Sequence, residues 1–310
     1  MKLLLIGCSG FIGKELMPRL IKAGHQIILV TRRKISPKPI KMHNHELEII
    51  RLDPSDSVNW SQGPLLKAIN NVQAVINLAG EPIGEKRWTQ EQCETISNSR
   101  VNTTRSLINA INQAKNKPNI LINASAIGSY GTSQEELFNE DSPYGSDFLA
   151  NLCKEWEDAA YKKSNLTRLV ILRIGIVLGS EGGALKKMLP IFKTGLGGPI
   201  GSGLQWMSWI HRTDICRIIE ESLKTKKFSG VINCVAPEPV QMKDFSKQLG
   251  DCLGRPSLLN VPGPILKLLL GDGAKLVLEG QHVKSKKLSK LGFKFKYPEL
   301  NQALNSIIKK

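Results

Sequence analysis

Three glycines at three-residue spacing, Gly7, Gly10 and Gly13 in "GCSGFIG", lie between an apolar run and an amphipathic one. That arrangement suits phosphate chemistry. Gly7 permits a tight turn and Gly10 lets the backbone approach a pyrophosphate. Gly13 lets a helix pack closely, with its first N–H groups aimed at the anion. The next apolar run, "HQIILVTR", passes into "TRRK" with no acid: Thr31, Arg32, Arg33 and Lys34. A carboxylate there would bond a ribose 2′-hydroxyl, whereas cations suit a 2′-phosphate through charge-assisted hydrogen bonds. The pattern predicts NADP(H), with Arg32 and Arg33 as the clamp and Lys34 turned to water.

Stepping from these residues to their supports, short β-type runs alternate with helical ones. "KLLLIG", "HQIILVTR", "ELEIIRLD", "VQAVINLAG", "NILINASA" and "TRLVILRIGIVLG" read as six strands. Helices are expected from Phe11 to Gly24, near Leu65–Asn70, over Gln90–Ala114 and over Asp147–Lys163, where apolar residues recur at helical spacing. The alternation predicts an α/β fold, a doubly wound parallel sheet of Rossmann type. After Gly179 the rhythm breaks into "GLGGPIGSGLQWMSW", followed by a helix from Thr213, a strand "GVINCVA", a helix from Met242 and a basic helical stretch after Pro262. The expected division is a nucleotide-binding unit over 1–235, whose substrate side begins near 180. A smaller C-terminal substrate-side region spans 236–310, with a helical domain at about 255–302.

Composition narrows the class. A chain of 310 residues can bury a large core. No apolar run approaches the roughly 20 residues of a membrane helix, and the apolar stretch before Cys8 is too short for a signal core. A cytoplasmic protein without a membrane partner is expected. Cys8, Cys93, Cys153, Cys216, Cys234 and Cys252 are scattered with no Cys-x-x-Cys pair, which reads as reduced thiols. The histidines form no metal constellation. The net charge of +16 is concentrated in C-terminal lysines that lack interleaved aromatics. That pattern favours a solvated basic face over a nucleic-acid interface, and its field suits an anionic cofactor or substrate.

These motifs resemble the short-chain dehydrogenase/reductase superfamily in its extended, nucleotide-sugar-epimerase-like branch. "NLAG" (Asn77 to Gly80) is similar to the superfamily's cofactor-contacting turn, "ASAIGSYG" to its Ser-rich active-site segment, and "LRIGIVLG" and "WMSWIHRTD" to two further segments. "NLAGEPIGEKRWT", "SRVNTTRSL", "LEGQHV" and "GFKFKYPEL" narrow the resemblance to an atypical epimerase-family group of NADP-dependent oxidoreductases with an extra C-terminal domain. The resemblance implies that Gly7, Ser9, Gly10, Phe11, Ile12 and Gly13 contact the pyrophosphate side. It implies that Thr31 and Arg32 hold the adenosine phosphate, that Leu78, Ala79 and Gly80 line the ribose side, and that Arg100 reaches the cofactor from the next helix. By its chemistry alone, Arg100 equally suits a surface cation.

Reductases of that superfamily use a Tyr-x-x-x-Lys pair, in which the ammonium lowers the phenol pKa for proton exchange. Tyr130, Tyr144, Tyr161 and Tyr297 are followed four places on by Gln134, Phe148, Asn165 and Asn301. Aligned on Trp156-Glu157, the expected helix has Leu149 in the Tyr slot and Cys153 in the Lys slot, while Ala126 takes the Ser/Thr position. Ser125 and Tyr130, at the carboxyl end of the fifth strand, are the remaining candidates for acid–base work. Each has a plainer reading, as a strand-end hydrogen bonder and a packed aromatic. His211 is a titratable base that also suits a buried, satisfied position, and Asp214 suits a helix cap. Trp206, Trp209 and Arg87 are the other candidates for a substrate pocket, where core packing or solvent exposure is the alternative. The expected reaction is hydride transfer to a small substrate, an anionic one suiting the basic field, without the usual acid pair; the alternative is a catalytically silent, redox-sensing NADP(H)-binding protein.

Overall fold

The computed structural model describes residues 1–32, 47–61 and 63–309. Seven strands form one sheet: β1 (Lys2–Ile6), β2 (Gln26–Val30), β3 (Leu47–Ile50), β4 (Ala74–Asn77), β5 (Ile120–Ala126), β6 (Arg168–Ile174) and β7 (Gly230–Cys234). Their order is β7-β6-β5-β4-β1-β2-β3, and every neighbouring pair runs parallel. Leu3 to Ile6, Ile27 to Val30 and Ala74 to Asn77 are buried. That is why they read as unbroken apolar runs instead of alternating ones. The strand order reverses between β1 and β4. Open α/β sheets bind ligands beyond the carboxyl ends of the strands at such a switch.

The principal helices are α1 (Gly13–Lys22), α2 (Pro64–Asn70), α3 (Gln90–Gln113), α4 (Phe148–Tyr161), α5 (Gly183–Lys193), α6 (Arg212–Lys224), α7 (Met242–Leu253) and α8 (Leu300–Ile308). Leu16 and Leu20 of α1 and Ile215 and Ile219 of α6 pack with Leu3, Leu5 and Ile122 on one face of the sheet. Leu65 of α2, Leu107 and Ile111 of α3 and Ala160 of α4 cover the other face with Leu4, Ile6 and Val75. The starts of α3 and α4 are set by side-chain caps. Thr89 Oγ1 accepts from Gln92 N at 3.2 Å, and Asp147 Oδ1 accepts from Ala150 N at 2.8 Å.

Beyond the carboxyl ends of β6 and β7, the chain adds a third layer. Here α5, α7 and α8 enclose a core around Trp209 and Phe245. The stretch that looked irregular in sequence contains short strands. Ile176–Leu178 pairs in parallel with Trp209–His211, and Trp206–Met207 pairs antiparallel with Val240–Gln241. Strands of two or three residues are too short to show a periodicity, so sequence patterning passes over them. No helix among the described residues is long and apolar enough to cross a membrane.

Two buried or half-buried carboxylates fasten the C-terminal segment to the sheet domain. Asp214, fully buried at the head of α6, accepts from Lys296 N at 2.7 Å, Tyr297 N at 2.9 Å and Arg217 Nη1 at 3.0 Å. Glu140 accepts from Asn233 N at 3.0 Å, Ser285 Oγ at 2.7 Å and Lys286 N at 2.9 Å. Asp214→Ala strands two backbone donors and should cost about 3 kcal/mol in urea denaturation. It should also speed proteolytic release of the chain beyond Val283; a variant as stable and protease-resistant as the parent would contradict this role.

Candidate functional site

The cradle forms where β1 turns into α1. Gly7 has φ +74, and a Cβ on it would lie 2.5 Å from the Leu78 carbonyl and Ala79 N. The two backbones therefore cross at a distance that only glycine allows. A Cβ on Gly13 would lie 1.9 Å from the Cys8 carbonyl, so α1 starts against the turn itself. Gly10 N donates to the Gly7 carbonyl at 3.3 Å. Ile12 is the residue before the first turn of α1. Thr31 Oγ1, at the end of β2, donates to Ser9 Oγ at 3.2 Å and ties that strand end to the cradle. Phe11 fills the hollow left by Gly179, Gly182 and Gly183, with the Arg212 guanidinium 4.8 Å from its ring centre. Arg212 is held by Glu15 at 2.8 Å and Glu181 at 3.0 Å.

The cationic side of the cradle is built around a carboxylate that the sequence reading passed over. Glu81 Oε2 lies 3.5 Å from Arg32 Nη2, and Glu81 Oε1 lies 3.7 Å from Lys86 Nζ. Arg33 and Lys34 lie outside the described residues. Arg100, on α3, donates through Nη2 to the Glu81 carbonyl at 2.9 Å and through Nη1 to the Ile96 carbonyl at 3.0 Å. Its guanidinium lies 5.5 Å from the Trp156 ring centre, and a Cβ on Gly80 would come within 2.8 Å of it. Burial lowers the Arg100 pKa to about 10, so the group stays charged at neutral pH. The only signal for Glu81 in the sequence is that it is the first acid after the Asn77–Gly80 turn. Asn77 supports that turn from below. Its amide donates to Asn123 Oδ1 at 2.8 Å, and its Oδ1 accepts from Ala79 N at 3.2 Å.

Above β5 the two acid–base candidates lie in one buried network. Ser125 Oγ donates to Glu157 Oε1 at 2.6 Å, and Tyr144 donates to Glu157 Oε2 at 2.7 Å. Arg173 grips the same carboxylate through Nε and Nη2, both at 2.9 Å. Glu157 is fully buried. Burial alone would lower the Arg173 pKa, but the Glu157 carboxylate overrides it and holds the guanidinium above its ordinary value. The Arg173 guanidinium lies 4.9 Å from the Tyr130 ring centre and 4.8 Å from that of Tyr144. Tyr130 in turn donates to Asn233 Oδ1 at 2.7 Å, and burial pushes its phenol up. Leu149 and Cys153 lie on the first turns of α4, and a Cβ on Gly128 would touch the Leu149 Cβ at 3.3 Å. Burial pushes the Cys153 thiol up to about 12, so it is neutral at physiological pH.

The remaining pocket candidates separate. Trp209 is wholly buried, with its indole donating to the Glu238 carbonyl at 3.1 Å, and belongs to the core of the third layer. His211 is buried: Nδ1 accepts from Thr213 N at 3.0 Å, and the ring lies 4.0 Å from that of Tyr297. It therefore joins α6 to the C-terminal segment. Trp206 is half-buried, stacked on His282 at 3.9 Å and donating to the Gln134 carbonyl at 2.9 Å. Arg87 is exposed beside Gly271, next to the bridge between Trp88 and Gly271. Among the described residues, no group of three or more His, Cys, Asp or Glu side chains could hold a metal ion.

A family model described as "NAD dependent epimerase/dehydratase family" matches residues 3–234. The chain belongs to the NAD dependent epimerase/dehydratase family. A second model, a domain of unknown function (DUF1731), matches residues 261–307. The epimerase family protein SDR39U1 homolog, chloroplastic, of Arabidopsis thaliana is 43% identical over 97% of this chain and 85% of its own length. Epimerase family protein YfhF of Bacillus subtilis is 36% identical over 99% of this chain and 98% of its own. The crystal structure of human epimerase family protein SDR39U1 (isoform 2) with NADPH superposes with a TM-score of 0.89 at 34% identity, covering 100% of both chains. A UDP-glucuronic acid 4-epimerase from Bacillus cereus, at 20% identity and TM-score 0.76, covering 99% of this chain and 95% of that one, shares the fold. Within this epimerase-family chain, the Glu157–Arg173 pair is the most deeply buried ion pair described. Glu157→Ala should cost about 3–5 kcal/mol, because it leaves a buried guanidinium uncompensated, whereas Ser125→Ala should cost about 1 kcal/mol. Equal losses in guanidinium chloride denaturation would show that the pair does not organise the network.

Proposed function

We propose that the chain binds NADP(H) in this cradle and acts by hydride transfer on a small substrate, as an oxidoreductase or epimerase-type protein without a Tyr/Lys acid pair. The NADPH in the human relative's crystal structure supports the cofactor, and so does the form of the cradle, a glycine turn that packs tightly on the Leu78–Ala79 and Cys8 backbones and leads directly into α1. Gly7, Ser9, Gly10, Phe11, Ile12 and Gly13 would hold the pyrophosphate side, with Thr31 and Arg32 at the adenosine phosphate. Leu78, Ala79 and Gly80 would line the ribose side, and Arg100 would add charge from α3. When bound, NADPH supplies the hydride; the protein supplies position and charge.

The observation that carries the reaction class is the chemistry above β5. Ala126, Leu149 and Cys153 occupy the acid–base positions, and the Ser125 and Tyr130 hydroxyl protons are committed to Glu157 and Asn233. We therefore take neither hydroxyl as the proton donor. A positioned general acid contributes roughly 10²–10⁴-fold to a proton-coupled step. A site without one favours acceptors whose reduced form gains its proton from water, such as conjugated carbonyls, over simple sugar ketones. The same observation favours a second reading, an NADP(H)-binding protein without turnover.

Two measurements separate these readings. In fluorescence titrations, Arg32→Ala should weaken NADPH by about tenfold or more and leave NADH nearly unchanged. Equal losses would remove Arg32 from the phosphate site. With NADPH and a panel of conjugated and simple carbonyls, turnover should survive Ser125→Ala and Tyr130→Phe to within several-fold. A loss of 100-fold or more at unchanged stability would return the proton to one of these hydroxyls. Tight NADPH binding with no turnover on any acceptor would favour the silent reading.

A further inference from the structure

Seven of the large apolar side chains exposed among the described residues come from two stretches, 183–204 and 254–271: Ile191, Leu196, Leu204, Leu258, Leu259, Ile265 and Leu268. The stretches are joined edge to edge. Leu259 N donates to the Gly197 carbonyl at 3.3 Å, Val261 N to Pro199 O at 2.9 Å, and Gly201 N to Val261 O at 2.9 Å. Both also meet at Leu278, which lies within 2.8 Å of a Cβ placed on Gly201 and within 3.5 Å of one placed on Gly263. Leu258 is 85% exposed and Leu268 74%. Monomeric proteins rarely gather such side chains without a use for them.

The charge on this surface decides what covers it. The two stretches carry Lys186, Lys187, Lys193, Arg255 and Lys267 and not one carboxylate; Glu181, Asp251 and Asp272 lie outside both. Lys187 reaches the Gly84 carbonyl, and the other four are exposed. A second copy of the chain, docked through the same face, would bring like charges together around a two-fold axis. A protein interface core is typically rich in aromatics and poor in lysine, whereas the aromatic of these stretches, Phe192, is buried. Single-stranded nucleic acid would need exposed rings for stacking. Exposed leucines and isoleucines interspersed along these stretches with exposed lysine and arginine match a peripheral lipid-binding surface.

We propose that this face docks onto an anionic lipid surface, with Leu196, Leu258 and Leu268 entering the headgroup boundary and Lys186, Lys193, Arg255 and Lys267 contacting lipid phosphates and carboxylates. In this proposal the protein lies on the bilayer and does not span it, a peripheral contact that goes beyond the sequence-based expectation of no membrane partner. The face borders the candidate site. Lys187 of α5 holds the 80–88 loop at Gly84, and Trp88 of that loop bridges to Gly271. The docking proposal stands on exposure and charge, and does not depend on the reaction proposed above.

The test is co-sedimentation of the full chain with vesicles of phosphatidylserine and phosphatidylcholine, against vesicles of phosphatidylcholine alone. The parent should bind the anionic vesicles and leave the neutral ones. Lys193→Gln with Arg255→Gln should weaken binding about tenfold at low salt. Leu196→Ser with Leu258→Ser and Leu268→Ser should abolish it, and Leu258→Ser alone should weaken it. NADPH titration of each variant reports that it is folded. Absence of binding to anionic vesicles, or equal binding by the triple leucine variant and the parent, overturns the proposal. So does a parent dimer in sedimentation velocity that the triple variant dissociates, which would make a second copy the occupant.

Discussion

The carboxylate of Glu157 holds together the part of the molecule on which its chemistry depends. It is fully buried on α4, yet it accepts from Arg173 on β6, Ser125 on β5 and Tyr144 in the loop before α4. A carboxylate out of water is costly unless its acceptor sites are filled and its charge is matched, and here both conditions are met. The cost of breaking either condition locks α4 against the carboxyl ends of β5 and β6. The pairing register places Ser125 directly beside Arg173, so the network joins adjacent strands and the helix that covers them. Tyr130 extends it through Asn233 to β7, and Glu140 continues it to the C-terminal segment.

This arrangement supports the proposal that Ser125 and Tyr130, although they lie where ligands of open α/β sheets bind, are not the proton donors. A hydroxyl that already donates to a buried carboxylate at 2.6 Å has its proton committed. Releasing it would leave the carboxylate short of a donor in a low-dielectric interior. On the first turns of α4, Leu149 packs against Gly128 and Cys153 is a buried, neutral thiol. The polar residues near β5 thus join β5, β6 and α4 through one buried carboxylate.

Much of this was legible in the sequence, and the reasons differ by element. The sheet could be read because strands buried on both faces are apolar along nearly their whole length, as Leu3 to Ile6 and Ala74 to Ile76 are. α3 and α4 were visible through apolar residues at helical spacing, and the caps that start them are Thr89 and Asp147. The cradle was visible because the Gly7 and Gly13 positions tolerate no side chain. Three features were not legible. The role of Glu157 depends on partners 13 to 32 residues away in the chain, and no local pattern marks such a meeting. Trp206 and Trp209, three residues apart in a glycine-rich stretch, went to a half-buried stack and to a core because the short strands that hold them lack a period. Glu81 looked like an ordinary loop acid until the fold brought it to Arg32 and Arg100.

That last meeting bears on how the cradle discriminates. Arg32 is half exposed and its partner Glu81 mostly covered, so the carboxylate is the fixed member of the pair and the guanidinium the movable one. A phosphate dianion offers Arg32 a stronger acceptor than a single carboxylate at 3.5 Å does. A ribose hydroxyl offers a weaker one, and nothing would be gained by leaving Glu81 for it. In the proposed binding mode the pair would set a threshold that a phosphorylated ribose crosses and a bare one does not. Lys86 stands on the other oxygen of Glu81 and would keep that carboxylate matched when Arg32 turns away. Specificity in this reading comes from what Arg32 gives up as well as from what it gains.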